Sequence, residues 1–160
     1  MLINLLLGCT TVFISMGIQI VVVVYTVRYV IGIMNSEDRK KSGFGFDTYV
    51  ISLVLVMLFA GHLFQVAIWA MLFMFLGEFS DFLTAFYHSN VNFASLGYGD
   101  IVMSEKWRLL GALEASNGVL MFGLSAGTML SVMTKLFARH NFARHNIAGG
   151  KSEDGKHMKR

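Results

Sequence analysis

Three long apolar stretches set the strongest limit on how this chain can fold. They cover residues 2–27, 49–76 and 109–137 and contain few charged side chains. Each is longer than the roughly 20 residues with which an α-helix crosses the hydrocarbon core of a bilayer. Of the 160 residues, 55% are hydrophobic and 14% are charged, whereas about 25% are charged in soluble domains. The sequence therefore predicts an all-α integral membrane protein with three transmembrane helices.

A fourth segment, residues 82–94, is rich in aromatic side chains but is too short and too polar to span a bilayer. It contains His88, Asn90 and Asn92. A short helix can enter a membrane and stop, and irregular backbone at that depth is tolerated only where protein or water covers it. The pattern predicts a re-entrant helix followed by a loop at membrane depth, residues 95–100.

This loop reads Ser-Leu-Gly-Tyr-Gly-Asp, with Asp100 at its end. Backbone carbonyls can replace the hydration shell of a cation when the chain turns them all towards one axis. Residues with a side chain adopt such a run of dihedral angles with difficulty, so Gly97 and Gly99 provide backbone freedom where it is needed. The stretch resembles the filter of a cation channel, in which the backbone of Ser95, Leu96, Gly97, Tyr98 and Gly99 would bind the ion.

The basic residues predict the orientation of the chain in the membrane. Arg28 and the loop at 35–47 contribute four of them and the C-terminal segment seven, which together are 11 of the 13 lysines and arginines. The positive-inside rule places that loop and the C-terminus in the cytoplasm and the N-terminus outside. The loop at 95–100 then opens to the outside, where four carboxylates would concentrate cations at the mouth. These carboxylates belong to Glu78, Asp81, Asp100 and Glu105.

Residues 90–100, with Trp107, Arg108 and the third apolar stretch, resemble the pore domain of the potassium-channel superfamily, in its small bacterial branch. The resemblance covers residues 49–132. It implies a homotetramer in a bacterial inner membrane, surrounded by lipid, with one filter strand from each subunit. It also implies that K⁺, coordinated by the carbonyls of the filter, is the permeant ion and that no cofactor is needed.

The same resemblance assigns roles along the third stretch. Gly118 or Gly123 falls near a gating hinge, and Met129 and Met133 form an inner hydrophobic constriction. The wall of the cavity is assigned to Asn117, Leu120, Met121 and Leu124.

Departures from the family pattern concern the support of the filter. Ser95 replaces the usual threonine and Leu96 the usual valine, which leaves the carbonyls in place. Val91 occupies the position of an acidic residue that pairs with the filter aspartate in some members. Asp100 therefore needs another partner or open water.

The predicted organisation has four parts. They are a first transmembrane helix at 1–34, a cytoplasmic loop at 35–47, a pore domain at 48–137 and a basic cytoplasmic tail at 138–160. The pore domain divides into an outer helix at 48–76, a pore helix at 82–94, the filter at 95–100 and an inner helix at 108–137. Asp47 or Thr48 is expected to cap the outer helix.

The tail contains the tandem repeat Phe-Ala-Arg-His-Asn at 137–141 and 142–146. We expect the repeat to continue the third helix and residues 148–155 to be irregular. Its charge allows contact with anionic lipid, although a solvated basic tail is the simpler interpretation.

Two polar side chains inside the second stretch, His62 and Gln65, lie three residues apart and share a helix face. They are expected to form hydrogen bonds between helices, with a proton-sensing or gating role for His62 as the alternative. In the first stretch, Asn4, Ser15 and Gln19 are expected to face a neighbouring helix.

A potassium-selective channel is the function that these features favour. The alternatives are a weakly selective cation channel and a non-conducting accessory or regulatory membrane subunit. The sequence contains no nucleophile–base pair or metal-ligand cluster typical of an enzyme, and no nucleic-acid partner is expected.

Glu114 is the one acidic residue within the third apolar stretch, and an intramembrane carboxyl favours a functional role. It is interpreted as filter support, together with His88 and Asn92. The alternatives are a position near water at the outer end of the helix and a charge that binds cations in the cavity. We expect Glu114→Gln to impair filter stability or conduction, and currents like those of the wild type would contradict this.

Overall fold

The computed structural model describes residues 2–35 and 43–157, with side chains described as far as Arg139. This part of the chain is helical and contains no strand. The four helices are α1 (Leu2–Asn35), α2 (Phe44–Phe75), α3 (Phe82–Phe93) and α4 (Arg108–His157). The first two and the part of α4 from Arg108 to Arg139 are long and apolar enough to cross a membrane. The predicted fold class, with three long apolar helices and a shorter one, is confirmed.

The short helix α3 rises about 18 Å, well below the roughly 30 Å thickness of the hydrocarbon core. It begins at a cap made by Asp81, whose carboxylate accepts a hydrogen bond from the backbone N–H of Thr84 at 2.9 Å. Its length allows it to enter the bundle from one end and to stop inside.

The start of α2 differs from the prediction. The N-cap is Gly43, which provides no side-chain hydrogen bond, and the helix begins at Phe44. The prediction that Asp47 or Thr48 caps this helix is wrong, because both lie within it, and the Thr48 hydroxyl donates to the carbonyl of Phe44 at 2.8 Å. Phe46 packs against the apolar core, which favours the extra helical turn.

The end of α4 also differs from the prediction. The helix continues past residue 137 through the repeat at 137–146, as expected, and on to His157, so that it includes residues 148–155, which were expected to be irregular. No proline interrupts this segment, so the backbone hydrogen bonds of the helix can continue. Most of the predicted loop, residues 36–42, and residues 158–160 of the tail lie outside the described residues.

The long helices pack as a bundle in which α1 runs parallel to α4 and antiparallel to α2. Gly8 of α1 lies against Leu110 and Leu113 of α4. Further along α1, Gln19 reaches both Ser125 of α4 and Gln65 of α2. The extra first helix is therefore packed against both long helices of the predicted pore domain.

The buried face of α1 is polar or small, whereas its exposed face is apolar. The buried face consists of Asn4, Gly8, Thr11, Ser15, Gln19, Thr26 and Val30. Asn4, Ser15 and Gln19, predicted to face neighbouring helices, are buried inside the protein; Gln19 reaches α2 and α4, whereas Asn4 reaches the loop before α4. Polar side chains on such a face replace lipid contact with contact to protein.

Two apolar clusters fill the bundle. The cluster around the C-terminal end of α3 contains Val66, Trp69, Phe73, Phe93, Met103, Trp107, Leu110 and Met121. The cluster at the other end contains Val30, Val50, Val54, Leu58, Val132 and Leu136. Between the clusters lie the buried polar side chains of Gln19, His62, Gln65 and Ser125.

Gly118 of α4 allows the closest approach between α3 and α4. A methyl group on Gly118 would overlap the backbone carbonyl of Phe93 at the end of α3. We therefore expect Gly118→Ala to destabilise the fold by about 1–3 kcal/mol, the usual cost of overpacking. Gly17→Ala is the matched control, because nothing lies within 4 Å of a methyl group at that position of α1. Thermal unfolding of the two purified variants measures the difference, and equal melting temperatures would contradict the proposed contact.

Candidate functional site

The segment at residues 95–100 leaves the end of α3 with a regular alternation of backbone geometry. Ser95, Gly97 and Gly99 have φ values of 55°, 60° and 73°, and these are the positive values in the segment. The residues between them, Leu96 and Tyr98, have negative φ. In an ordinary strand φ keeps one sign and successive carbonyls point to opposite sides. Alternating signs rotate every second peptide plane, so successive carbonyls can face the same side.

The first of these residues, Ser95, also ends α3. The N–H of Leu96 donates to the carbonyl of Val91 at 2.9 Å, and the N–H of Ser95 donates to the carbonyl of Asn92 at 2.8 Å. This pair of bonds defines a Schellman motif, in which the left-handed residue is usually glycine. Gly77 has that role at the end of α2, with a φ of 78°.

Sequence reasoning missed the left-handed conformation of Ser95. A serine gives no local signal for it, because positive φ is uncommon for residues other than glycine. Because Ser95 is left-handed, the segment at 95–100 turns away from the axis of α3 at its first residue.

Asp100, at the end of this segment, has a partner on α3. The hydroxyl of Tyr87 donates a hydrogen bond to its carboxylate at 2.7 Å. This bond is the main reason why the pKa of Asp100 is below its ordinary value and that of Tyr87 above its own. Sequence reasoning missed Tyr87, although it lies four residues before Val91 and hence on the same helix face.

His88 holds the backbone that follows Asp100. One ring nitrogen, Nδ1, lies 3.1 Å from the carbonyl oxygen of Ile101, and the other lies 2.9 Å from the side-chain nitrogen of Asn92. Both bonds form when Nδ1 carries the proton and the Asn92 amide donates to Nε2. The imidazole is buried against the rings of Phe73 and Phe79. His88 and Asn92, predicted as filter support, thus connect α3 to the residue after the filter segment.

Glu114 is completely buried on α4 and faces α3. Its partner there is Ser89, whose hydroxyl contacts the carboxyl of Glu114 and also the backbone carbonyl of Val66 on α2. Asn92, which the sequence groups with Glu114 as filter support, also forms a side-chain hydrogen bond with its carboxyl. One hydroxyl on α3 therefore connects the short helix to two long ones, behind the filter segment.

Glu78 secures the loop between the filter segment and α4. Its carboxylate accepts hydrogen bonds from the backbone N–H of Ser104 at 2.8 Å and from its hydroxyl at 2.6 Å. The amide of Asn4 on α1 donates to the carbonyl of Lys106 in the same loop at 2.5 Å. The carboxylate of Glu78, predicted to attract cations at the mouth, is thus engaged in a structural contact.

The residues predicted to line a cavity or gate on α4 lie in different surroundings. Asn117 is buried, and among the residues that the structure describes neither polar atom of its amide has a hydrogen-bond partner. Gly118 is buried against Phe93, whereas Gly123 is exposed. Met129 and Met133 are half-buried.

The remaining positions that the sequence assigned to a cavity wall also differ in exposure. Met121 is buried, while Leu120 and Leu124 are exposed on the single chain. Of the proposed wall residues, Leu120 and Leu124 are therefore the ones whose side chains face open surface.

A comparison with known protein families finds a match that includes α3, the filter segment and most of the spanning part of α4. The model of the ion channel family matches residues 49–135, which is more than half of the chain. The chain therefore belongs to the ion channel family, and its three long apolar helices make it a multi-pass membrane protein. Neither the curated proteins nor the solved structures include a match to the chain.

The contact between Tyr87 and Asp100 leads to a prediction about pH. Because folding lowers the pKa of Asp100, its ionised form stabilises the folded protein above the ordinary carboxyl pKa. That stabilisation is lost as the pH falls through the lowered value. Tyr87→Phe removes the main cause, so Asp100 should take up its proton at a higher pH in the variant. An NMR titration of the Asp100 carboxyl carbon measures this shift, and an unchanged midpoint would contradict it.

Proposed function

We propose that the protein is a potassium-selective channel whose filter is the segment at residues 95–100. The observation that carries this proposal is the alternation of φ at Ser95, Gly97 and Gly99. It allows a row of backbone carbonyls to face one side, as a filter that replaces the hydration shell of a cation requires. Membership of the ion channel family is consistent with this function.

The exposure of the filter segment supports assembly around an axis. In a single chain all six residues from Ser95 to Asp100 are exposed, including 54% of Leu96 and 67% of Tyr98. One strand offers only one carbonyl at each level, whereas a dehydrated cation needs several oxygen ligands. Four chains around a common axis would supply four carbonyls at each level, and would also cover the apolar side chains that one chain leaves exposed.

Ions would move through the filter from one ring of oxygens to the next, each displaced by the ion behind it. The hydroxyl of Ser95 would add oxygens at the inner end of the row. At the other end, Asp100 is ionised at neutral pH and accepts the hydrogen bond of the Tyr87 hydroxyl, which lowers its pKa further and places a negative charge near the mouth.

The proposed orientation places the filter mouth outside the cell. Asn4, at the start of α1, contacts Lys106 in the loop after the filter, so the N-terminus and the filter lie at the same end of the bundle. Arg28 and Arg139 lie towards the ends of the spanning parts of α1 and α4 that point away from the filter. With 11 of the 13 basic residues assigned to that side, it would be cytoplasmic.

Flux from liposomes of defined lipid composition tests the proposal. The full-length protein is reconstituted in vesicles loaded with K⁺ or with Na⁺, and efflux down each gradient is compared. We expect K⁺ efflux well above Na⁺ efflux. Equal fluxes would indicate a weakly selective cation channel, and no flux of either ion would favour an accessory subunit.

Gly97→Ala tests the role of the backbone itself. A methyl group at this position would meet nothing within 4 Å in a single chain, so the cost arises chiefly from the φ of 60°. Such a conformation costs a residue other than glycine about 1–2 kcal/mol, and any relaxation would turn a carbonyl away from the axis. We expect K⁺-selective flux to be lost in this variant and retained in the control Gly17→Ala. Selective flux through Gly97→Ala would contradict the carbonyl filter.

A further inference from the structure

Two glycines of α4, Gly123 and Gly127, flank Ser125. A methyl group on either glycine would meet nothing within 4 Å. The backbone of α4 therefore has little side-chain support at these two positions, and glycine itself resists bending less than other residues. Ser125 is buried between them, although both glycines are exposed.

Side chains from the two other long helices meet at the Ser125 hydroxyl. The amide nitrogen of Gln19 on α1 donates to it at 2.9 Å. On α2, the Nε2 atom of His62 lies 2.9 Å from the same oxygen. The His62 ring also forms a hydrogen bond with the backbone carbonyl of Met121, one turn earlier on α4. The two contacts of His62 therefore lie on either side of Gly123.

A fourth side chain holds Gln19 in place. The amide nitrogen of Gln65 donates to the side-chain oxygen of Gln19 at 2.6 Å. The protons can then be assigned in one direction along the group, from Gln65 to Gln19, from Gln19 to Ser125, and from Ser125 to Nε2 of His62. This order satisfies each donor with one acceptor.

Other hydroxyls of α4 behave differently from that of Ser125. Those of Ser116, Thr128, Ser131 and Thr134 each donate to the carbonyl four residues earlier in α4. Such bonds move with the helix when it bends. The bonds at Ser125 instead cross to α1 and α2, so a displacement of α4 of little more than half an ångström would stretch them beyond about 3.5 Å.

We infer that Gln19, His62, Gln65 and Ser125 form an interhelical latch that holds α4 straight at Gly123. Through Gln19, the latch gives α1 control over the inner helix, although α1 lies outside the residues that match the ion channel family. The inference rests on the proposed function in one respect, since it takes α4 as the helix that lines the pore.

Hydrogen–deuterium exchange of the full-length protein in lipid nanodiscs tests the latch without any reference to conduction. We expect Ser125→Ala and Gln19→Leu to increase amide exchange at residues 121–127 of α4, by about threefold to tenfold for a hydrogen bond of this kind within a membrane. Thr134→Ala on α4 and Thr11→Val on α1 are the controls, because their hydroxyls bond only within their own helices. Exchange that is unchanged in both latch variants would overturn the inference.

Ser125→Thr serves as a rescue variant. It restores the hydroxyl, and a groove of about 280 Å³ between α2 and α4, lined in part by Ser125, Ala126 and Met129, offers room for the added methyl group. Exchange should return to the wild-type rate. If Gln19→Leu fails to fold, the comparison of Ser125→Ala with Ser125→Thr still shows whether the Ser125 hydroxyl slows amide exchange in α4, because both variants change a single small side chain.

Single-channel recording tests the consequence for gating. The latch variants should change the open probability by at least about threefold, all in the same direction, while unitary conductance and ion selectivity stay at the wild-type values. The double variant Gln19→Leu/Ser125→Ala should change it by less than the two single variants combined, since both remove the bond between Gln19 and Ser125. An unchanged open probability, or a change in selectivity instead, would contradict the latch. If the wild-type protein itself does not prefer K⁺ over Na⁺, that result counts against the proposed function and not against the latch.

Discussion

Backbone polar groups at membrane depth need partners, and this requirement governs the structure around residues 95–100. The spanning helices satisfy their own N–H and carbonyl groups internally. At the end of α3, the left-handed turn at Ser95 uses two N–H groups to satisfy the carbonyls of Val91 and Asn92. The backbone beyond that turn is freed from the helix without leaving the helix end unpaired. Carbonyls released in this way can be satisfied by a cation, which connects the local backbone geometry to the proposed conduction.

A free segment of this kind keeps one conformation only if its surroundings hold it. The structure places side-chain contacts on either side of it and behind it. Tyr87 holds Asp100, His88 holds Ile101 and Glu78 holds Ser104, while Ser89 connects α3 to Glu114. Most of these side chains come from α3, so the short helix both delivers the segment and braces it. A frame of this type keeps the segment in the one conformation on which the proposed ion binding depends.

The sequence predicted the three long apolar helices, the short helix and the position of the exposed loop, because apolar length and glycine spacing are local features. It also predicted that His62 and Gln65 share a face directed at protein, which helical periodicity determines. It did not reveal Ser125 as the partner of His62, since that contact depends on the register of α2 against α4. The sequence could have revealed the partner of Asp100, because Tyr87 lies one turn from Val91 on the same helix face. It could not have revealed the conformation of Ser95, because that conformation results from the way α3 ends and not from the residue type.

The first helix is the part of the molecule for which family membership offers no explanation, and its contacts indicate why it belongs to the fold. Its lipid-facing side is apolar, yet its buried side presents polar groups at the very levels where α2 and α4 need partners. Asn4 reaches the loop after the filter and Gln19 reaches the middle of α4, so α1 touches the pore domain near both the filter and the glycine pair. In a bilayer, separating α1 would leave the amides of Asn4 and Gln19 in hydrocarbon without partners, which is costly. The helix is therefore retained by polar contacts and not by apolar packing alone.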